Sequence, residues 1–491
     1  MWAEPLYTAE EMRAAEAAYP GPTLELMERA GRRVAEEVLG RYPDARRIAV
    51  WCGTGANGGD GFVVAAELAR ARRESAVRLL GPEEKVEGDA AVNLARARRA
   101  GVAFADEPGP VDVVVDALFG TGFRGAPRRE AAEAIEMMNA AGVPVVAVDL
   151  PSGVDASTGR VEGAAVRAAL TVTFHAPKVG HAIAPGRFHR GELVVADIGL
   201  AAAETRCRSA SERLLDLVPR RTEADNKYTA GSVLVVGGSV GLTGAPSLSS
   251  EAALRAGAGI VTACVPASLN PVFEQRLLEV MTRPCADEEG TMTLEAEAAI
   301  LAAAERAGAV AVGPGLGRTE ATRALVGRLL DRLEKPVVLD ADGLWALAGH
   351  LDWVFRRDAP TVLTPHAGEL GRLLGRPSAW VSANRLGAVE AGADDAGAVV
   401  LLKGADTLVA APGRGPLVVD LGNEGLATAG TGDVLTGVVA AFLAKGMDAG
   451  LAAAAGAAVC GVASQVAGER HGSAGMIARD VVEALSPALS R

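Results

Sequence analysis

Short apolar runs recur through the first 200 residues, and helical segments such as 61–73 and 129–141 separate most of the earlier ones. Strands that are apolar on both faces must be covered on both faces, as in a parallel sheet between two helical layers. We therefore predict an α/β domain, preceded by a helix whose start has the capping-box spacing of Thr8 and Glu11. The predicted strands are 46–52, 76–80, 111–118, 143–150, 170–174 and 192–198.

A second series of apolar runs begins after residue 222 and predicts a second α/β domain. The segment 200–222 is polar and charged and has no apolar run, which predicts a linker without a strand. We place the domains at 1–212 and 213–491, and two Ala-rich helices at 432–445 and 450–467. The predicted strands of this series are 231–238, 259–266, 309–315, 335–342, 360–366, 398–404 and 416–422.

Composition and charge exclude several classes of protein. The 491 residues carry a net charge of −12, which argues against binding to nucleic acid or to an anionic membrane. Five scattered cysteines without a C-x-x-C motif and an N terminus without a signal-peptide pattern favour a cytoplasmic protein. The apolar segment 449–463 is mostly Ala and Gly and favours a buried helix over a membrane span. The Ala-rich terminal helices could pack within the domain or between subunits, and we expect a homo-oligomer.

A glycine-rich turn, GTGANGGDG at 53–61, follows the first predicted strand and opens a helix. Glycines there let a phosphate approach the backbone, and a helix N terminus directs amides at it. The alternative is a tight turn that binds nothing. Other loops also follow the carboxyl ends of strands, where parallel sheets bind ligands. They contain Asp116 with Gly120, Thr121, Gly122, Phe123, Arg124 and Gly125, then Asp149 with Ser152, then 176–178.

A second glycine-rich turn, residues 430–432, stands at the start of the apolar helix 432–445. Its amides and the helix dipole would form an anion site. Asp433 follows at once, in position to take a proton from a hydroxyl beside a bound phosphate. A carboxylate that only caps the helix is the alternative.

Residues 403–407, KGADT, follow another apolar strand. Only six residues of the chain are Lys, which makes Lys403 a candidate for a nucleotide phosphate, although it could merely close a turn. His366 also ends a strand and is a candidate substrate contact, with a solvated loop histidine as the alternative.

The motifs GxGxNGGDG, DALFGTG, DLPSG and APKxGH together resemble the epimerase domain of the NAD(P)H-hydrate repair proteins, over about residues 8–200. The resemblance implies a Rossmann-like sheet that binds the hydrated dinucleotide. It also implies that Asp149 faces the hydrated nicotinamide ring and accepts a proton as the C6 centre inverts. Asp149 as an N-cap carboxylate is the alternative.

The resemblance also implies a K⁺ ion held by Asn57, Asp116 and Ser152. The chain departs from the family at Ala56, where a second asparagine is usual. The implied dinucleotide contacts are Ala56, Asn57, Gly58, Gly59, Asp60, Gly120, Thr121, Gly122, Phe123, Arg124, Gly125 and Asp149.

The GTGD turn resembles the ribokinase-like superfamily. With KYTAGSVLVVGGSVGLTGAP, GPGLG, LDADG, LTPH and KGADT it resembles the nucleotide-dependent NAD(P)H-hydrate dehydratase domain, over about residues 222–488. Asn226 and Glu424 stand where His and Pro are common. The resemblance implies Mg²⁺ with ADP or ATP. The implied hydrate contacts are Ala245, Gly315, His366 and Asp433, and the implied nucleotide contacts are Lys403, Gly404, Ala405, Asp406, Thr407 and Gly432.

Together these resemblances predict an enzyme with two three-layer α/β domains that epimerises hydrated NADH and NADPH and dehydrates the S epimer. Two other functions remain open. A vitamin-precursor kinase would share the GTGD turn but would not explain residues 53–61. A scaffold that only binds nucleotide would need no base at Asp433 or Asp149.

Overall fold

Helices cover two separate sheets, as strands that are apolar on both faces require. The computed structural model describes residues 1–106 and 109–490. The strands in chain order are β1 Ala3–Leu6, β2 Arg47–Cys52, β3 Glu74–Leu79, β4 Ala103–Phe104, β5 Val113–Ala117, β6 Val145–Val148, β7 Leu170–Phe174, β8 Glu192–Ala196, β9 Cys207–Ala210, β10 Ser232–Val236, β11 Ile260–Pro266, β12 Met281–Cys285, β13 Asp287–Glu288, β14 Thr291–Met292, β15 Ala309–Val312, β16 Val337–Leu339, β17 Thr361–Leu363, β18 Val399–Leu402, β19 Thr407–Ala410 and β20 Leu417–Val419.

The helices lie mostly between successive strands. In chain order they are α1 Ala9–Ala17, α2 Thr23–Arg41, α3 Ala56–Arg70, α4 Gly88–Arg99, α5 Arg129–Ala140, α6 Val179–Ala182, α7 Gly244–Arg255, α8 Asn270–Arg276, α9 Glu297–Ala304, α10 Glu320–Arg332, α11 Asp342–Ala346, α12 Asp352–Phe355, α13 Ala367–Leu374, α14 Ser378–Ala383, α15 Arg385–Ala396, α16 Thr431–Ala444, α17 Ala449–His471 and α18 Ala478–Leu489.

The first sheet has the order β4-β3-β2-β5-β6-β7-β8 over the described residues, and its pairings are parallel. Alternate residues of a strand face opposite layers. Ile48 and Val50 of β2 pack with α2, α3 and α4, whereas Ala49 and Trp51 pack with α5. This arrangement confirms the predicted three-layer α/β domain, and every strand predicted in the first series is present.

The second sheet has the order β1-β9-β20-β19-β18-β17-β16-β15-β10-β11-β12 in the described part of the chain. Its pairings are parallel from β12 to β18 and antiparallel from β18 through β19 to β20. The carboxyl ends of β10, β15, β16, β17 and β18 therefore meet at one edge, where the second set of motifs lies.

Helix α17 is part of the core. Among the described residues it alone is long and apolar enough to cross a membrane, but 78% of its most apolar window is buried inside the protein. It packs with α16 and α18 in one large apolar cluster, built mostly of Ala and Val side chains. The prediction of a buried helix in this region is confirmed.

The chain divides into two compact units. The N-terminal unit is Pro5–Cys207, and the C-terminal unit comprises Met1–Glu4 together with the chain from Arg208 onward. The division lies five residues before the expected boundary at 212/213.

The prediction that 200–222 contains no strand is wrong. Strand β9 pairs in parallel with β20 and is a neighbour of β1 in the second sheet. Its sequence, CRSA, has no apolar run, because this strand depends on partners that are distant in sequence. The predicted capping box at Thr8 and Glu11 is present at the start of α1.

We expect Gly437→Ala to destabilise the C-terminal unit. Gly437 lies where α16 crosses α7, and an added Cβ would be 2.0 Å from the carbonyl oxygen of Ser249. Forcing the helices apart should lower the free energy of unfolding by about 1–3 kcal/mol, the usual range for overpacking. Denaturant unfolding followed by circular dichroism measures it.

Gly387→Ala is the matched control. Gly387 lies on the exposed face of α15, with nothing within 4 Å of an added Cβ. Alanine should raise the free energy of unfolding there by about 0.5–1 kcal/mol through helix propensity. Equal effects of the two substitutions would contradict the packing described for α7 and α16.

Candidate active sites

The glycine-rich turn of the N-terminal unit packs tightly against the end of β5. An added Cβ at Gly53 would lie 2.2 Å from the carbonyl oxygen of Leu118, and one at Gly58 would lie 1.8 Å from that of Gly53. These glycines therefore have a packing role whether or not a ligand binds. Helix α3 begins at Ala56, so the amides of residues 56–58 have no acceptor within the helix, whereas the Gly59 amide donates to the Gly55 carbonyl at 3.1 Å.

Asp116 and Ser152, two of the three expected K⁺ ligands, are in contact. The Ser152 hydroxyl donates to Asp116 Oδ1 at 2.6 Å, and the Ser152 amide donates to Asp116 Oδ2 at 2.7 Å. Burial raises the pKa of Asp116 to about 6, although hydrogen bonds from Ser152 and Leu118 act in the opposite direction. No basic side chain pairs with this carboxylate among the contacts of the described residues.

Asn57 lies beside the loop 120–125. An added Cβ at Gly120 would be 3.1 Å from Asn57 Oδ1. The side-chain amide nitrogen of Asn57, Nδ2, is buried and has no hydrogen-bond partner within the described residues. Farther along the loop, Phe123 stacks on Phe119 with ring centroids 4.8 Å apart, and Arg124 is exposed.

Asp149 is held in a strained position by a lysine that the sequence analysis did not single out as a site residue. Its φ of +63° lies in the left-handed region, which Asp tolerates better than most residues. The Lys178 ammonium donates to Asp149 Oδ1 at 2.6 Å, and the Thr173 hydroxyl donates to the same oxygen at 2.9 Å. Burial opposes the charge of Asp149, but Lys178 outweighs it and holds the pKa of Asp149 below its usual value.

His181 fixes the backbone at Asp149. Its Nδ1 accepts from the Lys178 amide at 2.9 Å, so its Nε2 must carry the proton and donate to the Asp149 carbonyl at 2.8 Å. Burial, with the nearby Lys178, lowers the pKa of His181 to about 3, so the ring is neutral. Both Lys178 and His181 belong to the APKxGH motif, so this motif was the sequence signal that could have identified them as site residues.

In the C-terminal unit, Asp433 lies in the first turn of α16. The preceding Gly430 is the N-cap at φ +92°, a conformation that favours glycine. The Ser249 hydroxyl on α7 donates to the Asp433 carbonyl at 2.9 Å, which fixes this turn. Burial, followed by the charge of Asp340, raises the pKa of Asp433 to about 7.

Lys403 lies next to this turn and pairs with Asp340. The distance from Lys403 Nζ to Asp340 Oδ1 is 2.8 Å, and Thr436 on α16 donates to Asp340 Oδ2 at 2.8 Å. An added Cβ at Gly432 would lie 3.3 Å from Lys403 Nζ. Burial opposes the charge of Lys403, but Asp340 and Glu369 hold the pKa of Lys403 above its usual value. Asp340 and Thr436 were not among the predicted site residues.

The loop 403–407 is built around a buried arginine. Arg385 Nε lies 2.9 Å from Asp406 Oδ1, both side chains are buried, and an added Cβ at Gly404 would collide with the guanidinium. Thr407 closes the turn through a hydrogen bond to the Gly404 carbonyl at 3.2 Å. The carboxylate of Asp406 therefore pairs with Arg385. Ala405 lies between Gly404 and Asp406, which these contacts hold in place.

His366 is the N-cap of α13. Its Nδ1 accepts from the amides of Gly368 and Glu369 at 2.9 and 3.3 Å, which leaves Nε2–H on the largely exposed face of the ring. Glu369 Oε2 lies 3.8 Å from Lys403 Nζ, so this helix start adjoins the Lys403 site.

Gly315 and Ala245 lie together. An added Cβ at Gly315, whose φ is +61°, would be 3.4 Å from the Ala245 Cβ and 2.5 Å from the Leu242 carbonyl oxygen. The structure thus brings Gly432 and Lys403 together in one group and Ala245 and Gly315 together in another. His366 adjoins the first group through Glu369.

Two family models match the chain, one to each unit. The model described as YjeF-related protein N-terminus matches residues 23–180, and the model described as NAD(P)H-hydrate dehydratase matches residues 233–487.

Similar proteins carry both units in one chain. The bifunctional NAD(P)H-hydrate repair enzyme of Moorella thermoacetica is 41% identical, with 98% of this chain and 96% of that protein covered. The enzyme of the same name from Thermofilum pendens is 38% identical, with 94% and 91% covered.

A solved structure shares the fold of the C-terminal unit. A ribokinase-like superfamily protein from Enterococcus faecalis is 23% identical with a TM-score of 0.51, and it covers 59% of this chain and 98% of its own. This likeness supports the ribokinase-like fold. The near-full-length identity to the repair enzymes identifies the family: the chain belongs to the bifunctional NAD(P)H-hydrate repair enzymes.

Proposed function

We propose that this chain returns hydrated NADH and NADPH to the normal cofactors in two steps, one in each unit. The N-terminal unit interconverts the R and S hydrates, and the C-terminal unit dehydrates the S hydrate at the expense of ADP or ATP. The observation that carries the proposal is the placement of Asp433 at the start of α16, beside Lys403, in the segment that the dehydratase model matches.

In the dehydratase, Asp433 would act on the hydroxyl of the hydrate. Its carboxylate takes the hydroxyl proton, and the oxygen attacks the terminal phosphoryl group of the nucleotide. The phosphoanhydride bond breaks, which releases AMP from ADP or ADP from ATP. The amides at the start of α16 and the Lys403 ammonium offset the charge of that group in transit. The ring nitrogen lone pair then expels phosphate, and loss of a proton from C5 restores the reduced ring.

Residue placement supports Mg²⁺ that arrives with the nucleotide. In the described residues no group of three or more His, Cys, Asp or Glu side chains is placed to hold a metal ion. Mg²⁺ commonly uses one or two carboxylates and completes its shell with phosphates and water. Asp340 and Glu369, which lie beside Lys403, would supply the carboxylates. The ion would neutralise phosphate charge.

The nucleotide would lie along residues 403–407 and Gly432. Because Arg385 occupies the Asp406 carboxylate, we expect the backbone of this loop to make the contact. The hydrate would contact Ala245, Gly315 and His366, whose side chain is largely exposed and whose Nε2 lies 3.6 Å from Glu369 Oε1.

In the epimerase, residues 56–60 and 120–125 would bind the dinucleotide, and Asp149 would take the C6 hydroxyl proton. Breaking the bond from C6 to the ring nitrogen gives an aldehyde, and closing it on the other face inverts the centre. The pairing with Lys178 supports this role, because it keeps Asp149 ionised and ready to accept a proton.

The epimerase site also suits K⁺ bound by Asn57, Asp116 and Ser152. Their carboxylate, hydroxyl and amide oxygens are the hard ligands that such an ion requires. The buried Asp116 carboxylate, which pairs with no basic side chain among the described residues, supports a cation at this point. Bound K⁺ would offset the charge of Asp116 and fix the loops around Asp149.

A cytoplasmic location and a homo-oligomer stay predictions, to be measured by fractionation and light scattering.

A small-molecule kinase is the weaker alternative. It would use the same turn and base but release a stable phosphorylated product, and it would leave the N-terminal unit without a role. The names of the near-full-length relatives favour repair.

We expect Asp433→Asn to lower the rate of nucleotide-dependent dehydration by about 10²- to 10⁴-fold, because it removes the base while keeping the shape. In the unmodified protein the rate should rise with pH through about 7, where Asp433 becomes ionised. Return of reduced-nicotinamide absorbance from the pure S hydrate measures both.

Asp480→Asn is the matched control. Asp480 also lies in the first turn of a helix of this unit, α18, where it accepts from the Ile477 amide at 2.9 Å. It should leave turnover and its pH dependence unchanged. Normal turnover of Asp433→Asn would exclude Asp433 as the base.

We expect epimerisation to depend on K⁺, and Asp116→Asn to raise the K⁺ concentration for half-maximal rate by at least about 10-fold. The measurement is the initial rate of R hydrate conversion as K⁺ replaces tetramethylammonium at constant ionic strength. Asp112→Asn, at the opposite end of β5, is the control and should keep the normal K⁺ dependence. A wild-type rate that does not change with K⁺ would overturn the proposed ion site.

A further inference from the structure

Helix α1 carries a carboxylate on the side that packs against the protein. Ala9, Met12 and Ala15 of this helix are buried. Glu16 follows Met12 by one turn, so the two share a face of the helix, and Glu16 is half-buried.

Two backbone hydrogen bonds hold the segment before α1 on either side of Lys178. The Tyr7 amide donates to the Pro177 carbonyl at 3.0 Å, and the Val179 amide donates to the Tyr7 carbonyl at 3.0 Å. Tyr7, Met12 and Ala15 also form one apolar cluster with Ala176. The start of α1 is therefore fixed against the loop that carries Lys178, the partner of Asp149.

The carboxyl group of Glu16 has no hydrogen bond or ion pair with any side chain in the described part of the chain. Burial, followed by the charge of Asp149, raises the pKa of Glu16, whereas Lys178 and Arg13 act in the opposite direction. Burial and the charge of Asp149 thus make Glu16 a weaker acid than a free glutamate, whereas Lys178 lowers the pKa of Asp149. A pair of carboxyl groups whose environments separate them in this way suits general acid and base work.

The protons of Lys178 and His181 are directed at acceptors within the protein. Lys178 Nζ donates to Asp149, to the Thr173 hydroxyl at 2.8 Å and to the Phe174 carbonyl at 2.9 Å, so its three protons are used. His181 gives its proton to the Asp149 carbonyl. In this part of the described chain, burial also raises the pKa of Asp60 and that of Asp116, which is hydrogen-bonded to Ser152.

We propose that Glu16 is the second acid–base residue of the epimerase and works together with Asp149 on the hydrated ring. Asp149 takes the C6 hydroxyl proton as the bond from C6 to the ring nitrogen breaks, and Glu16 protonates that nitrogen. On reclosure the nitrogen returns its proton to Glu16, and the oxygen regains its proton from Asp149. No oxidant or other reactant is consumed.

The inference rests on the proposed epimerase function of the N-terminal unit. It adds a residue outside the matched family segment, which begins at residue 23. Asp60 is the rival acid, but it belongs to the glycine-rich turn assigned to the dinucleotide. The charged and titratable groups around Glu16 are Arg13 on α1, Asp60 on α3, Asp149 after β6, and His175 and Lys178 after β7.

The test compares both hydrate epimers in the full-length protein. With nucleotide present, Glu16→Gln should slow recovery of reduced cofactor from the R hydrate by at least about 100-fold, the low end of general acid–base effects. Recovery from the S hydrate, which needs only the C-terminal unit, should stay normal. Wild-type epimerisation should fall at high pH as Glu16 loses its proton, and this alkaline fall should disappear in the residual rate of Glu16→Gln.

Glu10→Gln is the matched control, because Glu10 lies on the exposed side of the same helix. It should leave both epimers and the pH profile unchanged. If Glu16→Gln fails to fold, Glu16→Asp replaces it, and a slowed rate that keeps the alkaline fall supports the role. Normal R hydrate turnover in Glu16→Gln, or loss of the alkaline fall in Asp60→Asn alone, would overturn the inference. A wild-type protein that does not epimerise at all would instead refute the proposed function.

Discussion

A lysine paired with a carboxylate from the end of another strand of the same sheet is the interaction on which both sites depend. Lys178 neutralises Asp149 in the N-terminal unit, and Lys403 neutralises Asp340 in the C-terminal unit. The carboxyl edge of a parallel sheet gathers loops that approach phosphates and hydroxyl groups, and chemistry there needs carboxylates. Removing these from water is costly unless a cation and hydrogen bonds compensate. The two pairs therefore allow each sheet edge to keep acids in a sheltered position.

The same pairs separate the carboxyl groups of each site into two kinds. In the N-terminal unit, Asp149 is kept ionised while burial favours the neutral form of Glu16. In the C-terminal unit, Lys403 is engaged by Asp340, and Asp433 titrates near 7. In the proposed mechanism, each unit uses one of these carboxylates as the proton acceptor for a hydroxyl group of the hydrate. Because both steps act on that hydroxyl, one geometric principle serves an isomerisation and a dehydration.

Much of the fold follows from local sequence, because apolar strands and caps are local signals. The strands of both series and the capping box at Thr8 were predictable for this reason. Strands β1, β4, β9, β12, β13, β14 and β19 were not predicted from the sequence. In β9, for example, CRSA becomes a strand only through pairing with β20 and β1, which lie far away in sequence. The same limit applies to the sites. The turn before Asp433 is a local motif, whereas the pairing of Asp149 with Lys178 joins residues 29 positions apart.

If both units act in repair, the fraction of a mixture of epimers that returns as reduced cofactor is set by the two activities together. The measurement supplies a mixture of R and S hydrates with excess ADP and Mg²⁺ in K⁺ buffer, over a time short compared with spontaneous epimerisation. The account predicts that all of the hydrate returns as reduced cofactor, with one inorganic phosphate released per molecule. Recovery that stops when the S hydrate is consumed, or a phosphorylated hydrate that accumulates without return of absorbance, would contradict it.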